Sequence, residues 1–171
     1  MRLLLSVCVA IVFLAPPAYA DKTCYKISKI VYSHQGAYNV CFHIRWWDRD
    51  KQEVVALGND DLQENCTTTG GENLEFNLNK PKSYADWKAN HLPQQGEEVW
   101  GQFQIRQGES KSCRNNEGRV FYYYPDGGSV TYWSKGTPQI DNKCRVRQPE
   151  AQYKIDCPDP SANLRAVPTG N

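Results

Sequence analysis

The chain has 171 residues, 20 Lys and Arg against 19 Asp and Glu, a formal net charge of +1, and 12% aromatic side chains. That balance leaves no clustered positive excess of the kind a nucleic-acid partner or a polybasic membrane patch requires. The length fits one domain, and no apolar run is long enough for a membrane span.

The first segment, 1–20, reads as a secretory signal peptide. Met1-Arg2 is a short basic start, Leu3 to Leu14 is apolar, and Ala18-Tyr19-Ala20 is a cleavage pattern before Asp21. Removing it also removes Cys8 and leaves Cys24, Cys41, Cys66, Cys113, Cys144 and Cys157. An even set in an exported chain predicts three disulfides, hence a secreted protein, or a periplasmic one if bacterial. Cys24 with Cys41, and Cys144 with Cys113 or Cys157, are the expected pairs, with a terminal arm drawn over the Cys41 strand. No C-x-x-C spacing supports zinc.

Lys22 to Tyr32 carries Ile27, Ile30, Val31 and Tyr32 and reads as a first strand, closed by a turn at Ser33 to Gly36. Ala37 to Trp47 alternates with period two. Tyr38, Val40, Phe42, Ile44 and Trp46 share a core face, while Asn39, Cys41, His43, Arg45 and Trp47 share the other. This is the expected central strand. Glu53 to Leu57 returns after a polar turn. The acidic turns at Asp48 to Asp50 and Asn59 to Asp61 lack the EF-hand pattern, so no metal is expected. Asn65-Cys66-Thr67 matches the N-glycosylation acceptor pattern, which a bridge at Cys66 opposes.

Asn73 to Leu78 alternates as a half-buried strand. Ser83 to Leu92 is the single predicted helix, with Ser83 and Asp86 as a capping pair and Pro93 as its stop. Glu98 to Arg106 places Val99, Gly101, Phe103 and Ile105 on one face and Glu98, Trp100, Gln102, Gln104 and Arg106 on the other. Gly108 to Gly118 is a polar loop pinned by Cys113. Arg119 to Tyr124 and Ser129 to Trp133 flank Pro125-Asp126-Gly127-Gly128, which predicts a hairpin. With a four-residue loop Tyr122, Tyr124, Thr131 and Trp133 share its non-core face; with a three-residue loop and a bulge the pairing slips by one, and either register leaves a second aromatic face. A short Tyr153-Lys154-Ile155 segment precedes Cys157, and 158–171 reads as a disordered tail.

The result is one β domain over 21–157, an all-β antiparallel sandwich or partly open barrel of about eight strands with one short helix. No catalytic motif frames His43, the one histidine on a predicted strand, and no cofactor is expected. Paired aromatics such as Trp46-Trp47 put rings on both faces of their strands, more than one core needs. The expected function is therefore secreted, non-enzymatic recognition of a glycan or glycoconjugate. The expected ligand-binding residues are Arg45, Trp47, Trp100, Gln102, Tyr122, Tyr124 and Trp133. Two alternatives stand beside it: an effector or inhibitor of an extracellular protein, acting through the loop with Arg106, Lys111 and Arg114, and a hydrolase using His43.

Overall fold

The computed structural model describes residues 22–36, 38–57, 66–68, 70–79, 92–106, 110–137 and 143–158. The predicted signal peptide, the helix at Ser83 to Leu92 save for Leu92 itself, Asn65 and nearly all of the tail lie outside the described residues.

The described chain is all-β. In order its strands are β1 (Thr23–His34), β2 (Val40–Asp48), β3 (Glu53–Leu57), β4 (Cys66–Thr67), β5 (Asn73–Asn77), β6 (Val99–Ile105), β7 (Ser110–Ser112), β8 (Arg119–Tyr123), β9 (Gly128–Ser134), β10 (Arg145–Arg147) and β11 (Lys154–Ile155). Single 3-10 turns at Asn116–Gly118 and Ala151–Tyr153 interrupt them. β1, β5, β8, β9, β10 and β11 form one sheet; β2, β3, β4, β6 and β7 form the other.

The two sheets enclose one core. Tyr25, Ile27, Ile30, Tyr32, Phe121, Val130 and Tyr132 face Val40, Phe42, Ile44, Trp46, Val99, Phe103 and Ile105, all buried. The predicted core face of β2 is therefore the observed one. Gly101 makes room at the centre: a Cβ there would lie 2.3 Å from Phe42 Cζ and 3.2 Å from Tyr132 Cδ2. Tyr32 stacks on Phe42 with ring centroids 4.5 Å apart. The sheets meet along one seam, where Tyr123 N–H donates to Glu97 O at 2.9 Å and Gly96 N–H donates to Tyr123 O at 2.7 Å. The sandwich is thus partly closed toward a barrel.

β1 is the spine of the larger sheet. It pairs with β5 and β11 antiparallel and with β8 and β9 parallel. Its register shifts between Ile27 and Lys29, so Tyr25 and Ile27 point inward on one parity, and Ile30 and Tyr32 on the other. A bulge of this kind bends a strand and lets its two halves serve different neighbours.

The predicted hairpin at Pro125 to Gly128 is not formed. The turn is real: Gly127 N–H donates to Tyr124 O at 2.9 Å. Its flanking strands do not pair with each other, however. β8 follows Thr23 to Ile27 and β9 follows Ile27 to His34, both in the direction of β1. Gly127 passes directly over Ile27, where a Cβ would stand 2.4 Å from the Ile27 carbonyl carbon. Ser28 Oγ donates to Gly127 O at 2.7 Å, and Lys26 pairs with Asp126, pinning the turn to β1.

The three disulfides are Cys24–Cys157, Cys41–Cys66 and Cys113–Cys144. The Cys113–Cys144 expectation holds. The Cys24–Cys41 pairing is corrected: Cys41 and Cys66 are register partners on β2 and β4, so the Cys41 bridge joins adjacent strands and draws no terminal arm over them. Cys24 instead holds the C-terminal β11 region to β1. Three bridges fit an oxidising compartment.

Candidate functional site

The outer face of the five-stranded sheet is built by alternation on β2 and β6. Cross-strand register places Arg45 opposite Ala56 and Trp100, His43 opposite Gln102, and Gln102 opposite Ser112. Trp47 stands opposite Val54, and its N–H donates to Glu98 O at 3.1 Å, so Glu98 flanks it on the other side. An isolated bridge then sets Tyr122 beside Glu98. One row of this face therefore reads Val54, Trp47, Glu98, Tyr122. The next reads Ala56, Arg45, Trp100.

The two tryptophans of this face differ. Trp100 is only 5% exposed, because Arg114 lies over its ring with Cζ 4.4 Å from the centroid. Arg114 is held there by a fork to Glu98: Nε donates to Oε1 at 2.9 Å and Nη2 to Oε2 at 2.6 Å. That bond raises the guanidinium pKa above its ordinary value. A cation fixed both by a carboxylate and by a ring face is a tight cover. Trp47, by contrast, is 36% exposed, and its neighbour Val54 47%. Arg45 Nε donates to Gln102 Oε1 at 3.0 Å, half-buried, which orients both side chains.

The predicted site residues thus divide. Arg45, Trp47, Trp100 and Gln102 share this face. Tyr122 borders it, its phenol pKa raised by burial and then by the Glu98 charge. Tyr124 turns toward the Gly96 turn, with Oη 3.7 Å from a Cβ built on Gly96. Trp133 belongs to the other sheet, where Arg145 covers it with Cζ 5.1 Å from the ring centroid. His43, the residue of the hydrolase alternative, is 1% exposed and is not presented to a substrate.

Glu98 and Val54 were not predicted as site residues, and Arg114 was expected only in the protein-contacting loop of the effector alternative. The alternation of β6 placed Glu98 on the outer face; nothing in the loop around Arg114 announced its position over Trp100. A second feature lies at the sheet edges. Lys111, Ser112, Asn116, Glu117, Cys144 and Arg145, with Lys143, line an open groove of about 510 Å³. No group of three or more His, Cys, Asp or Glu among the described residues could hold a metal ion. No described helix is long and apolar enough to cross a membrane.

No known family model matches the chain, and no curated protein matches it. Solved structures give weak likenesses. A Gram-negative toxin aligns at 12% identity and TM-score 0.34, over 71% of this chain and 23% of that one. Listeriolysin O aligns at 13% and 0.32, over 71% and 22%. The membrane-binding domain of pneumolysin aligns at 12% and 0.29, over 71% and 96%. This chain thus spans about a quarter of the first two. At these scores the likenesses carry no argument about function.

Proposed function

We propose that this protein is a secreted, non-catalytic recognition module whose ligand is a glycan seated on the outer face of the β2–β6 sheet. Trp47 is the observation that carries the reading. It is a large ring held open to solvent on a rigid strand, with the Arg45–Gln102 pair and the Glu98–Arg114 pair beside it. Flat rings stack on the apolar faces of sugars, and guanidinium and amide groups bond the hydroxyls. Trp100 then serves as the support beneath Arg114, not as a contact.

A glycan array followed by Trp47→Ala tests this. Ring stacking contributes on the order of 1 kcal/mol, so the variant should bind about fivefold more weakly with an unchanged melting temperature. A silent array, or a variant that binds as the wild type does, defeats the reading.

One observation favours a second reading. Val54 and Trp47 form an exposed cross-strand apolar pair at the β3 end of the sheet, and a tryptophan is the ring most often found as an anchor at protein interfaces. Val54→Asp discriminates the two. It should abolish protein binding, and leave sugar stacking on Trp47 within twofold.

A further inference from the structure

The groove at the edge of the sandwich is formed where β7 of one sheet approaches β10 of the other. The Cys113–Cys144 bridge spans this junction and fixes its width. Asn116 Nδ2 donates to Cys144 O at 2.6 Å, tying the turn before β8 to the same wall. Among the described lining residues three are cations, Lys111 on β7, Lys143 just before β10 and Arg145 at its start, and one is an acid, Glu117. That acid is already directed to Arg119. Arg145 is held beside the Trp133 ring, Cζ 5.1 Å from its centroid, a cation–π contact that does not use its N–H donors. The described lining of the groove is open, polar and net positive within a chain whose overall charge is close to zero. An apolar small molecule would want a closed, greasy pocket instead. Ser112, in the groove wall, is the register partner of Gln102, so the groove continues the recognition face at its β7 edge.

From this we infer that the groove binds an anionic group of a glycan, a sulfate ester or a uronic carboxylate, with Lys111, Lys143 and Arg145 as its ligands. The inference deepens the glycan reading and rests on it only for the neutral part of the ligand. Cations on a fixed wall bind an anionic chain by charge-assisted hydrogen bonds and release of counterions, so the binding weakens with salt.

The test uses the full mature protein with three immobilised chains: heparin for sulfate, polygalacturonate for carboxylate, dextran as the neutral control. Wild type should bind heparin, polygalacturonate or both at 50 mM salt, not dextran, and release as salt rises; which chain it prefers names the anion. Lys111→Ala with Lys143→Ala should weaken that binding by about tenfold, as expected for the loss of one or two charge-assisted contacts. A charge-matched control, Lys22→Ala with Lys154→Ala at the β11 end, should stay within twofold. Binding to heparin and polygalacturonate no better than to dextran, an unaffected groove variant, or an equal loss in the control each overturns the inference. If the groove variant loses the anionic chain while Trp47→Ala does not, the groove stands and the Trp47 reading falls.

Discussion

Single residues show most clearly what alternation can and cannot say. Period two placed both Trp47 and Trp100 on the outer face of their sheet, as observed. It could not say which ring stays open, because Arg114 covers Trp100 from a separate loop and is held there by Glu98. The two substitutions should therefore separate: Trp100→Ala should lower stability by about 3 kcal/mol, the range for a buried aromatic cut to alanine, as a shift in urea midpoint at constant slope. Trp47→Ala should leave the midpoint in place. His34 supplies a second residue-scale prediction. Its side chain is fully buried, Nε2 donates to Tyr38 O at 2.8 Å, and Nδ1 lies 3.5 Å from the Tyr32 hydroxyl. Burial lowers its pKa, with the Tyr38 carbonyl and the Glu72 charge pulling the other way. The unfolded chain takes up this proton near pH 6.5 and the folded protein only at lower pH. Stability is thus whole above about pH 6.5 and falls as pH drops from there toward the folded pKa. Melting temperatures from pH 8 to 5 should show that decline, and His34→Gln, which keeps a donor for Tyr38, should flatten it. Parallel profiles for the two proteins would acquit His34.

At the scale of elements, the long strands were legible and their partners were not. Val40 to Trp46 and Val99 to Ile105 each carry enough alternation to fix a core face. β4, β7, β10 and β11 have two or three residues each, too few to show any period, so three of these edge strands escaped notice and β11 was seen only as a short segment before Cys157. The region 119–134 is the instructive case. Its facing was readable, with Phe121, Val130 and Tyr132 inward, and its turn lies where Pro-Asp-Gly-Gly put it. Turn chemistry says where a chain bends, not which strand receives it. The receiver is β1, and β1 was itself underread because the bulge at Ile27 to Lys29 breaks its alternation. The central role expected of β2 is shared: β2 centres the smaller sheet, β1 the larger. Gly127 makes the passage possible, and Gly127→Ala tests it. The added methyl would meet backbone atoms of Ile27 at 2.4–2.5 Å, which cannot swing aside as a side chain can. Overpacking of this kind costs about 1–3 kcal/mol or more, or roughly 5 °C or more in melting temperature. A hairpin at the same residues would tolerate alanine with little change, so a neutral result would argue against the passage over β1.

In the whole molecule, three cross-links and the oxidising environment they fit were legible from cysteine parity, whereas connectivity and the groove were not. Lys111, Lys143 and Arg145 are scattered in sequence and meet only because β7 and β10 edge the same seam. The bridges also rank differently than their shared chemistry implies. Cys24–Cys157 closes a separation of 133 residues, Cys113–Cys144 one of 31, and Cys41–Cys66 one of 25. In the chain-entropy view a cross-link stabilises by restricting the unfolded chain, more for a longer loop: about 5 kcal/mol for the first against about 3.5 for each of the others. The first bridge also holds β11 against the start of β1, where only Cys24 with Ile155 and Tyr25 with Lys154 are paired. Two register pairs are too little to secure a chain end unaided. Removing Cys24 and Cys157 together, by alanine at both, should therefore lower unfolding free energy by about 1.5 kcal/mol more than removing Cys41 and Cys66. It should also open β11 to proteolysis before the rest of the domain. The Cys41–Cys66 variant should keep its C-terminal region protected, since β2 remains paired with β3 and β6. Urea unfolding of the two variants, with limited proteolysis read by mass, measures both effects. Equal losses, or first cleavage away from β11 in the Cys24 and Cys157 variant, would show that the long bridge does not govern how this sandwich comes apart.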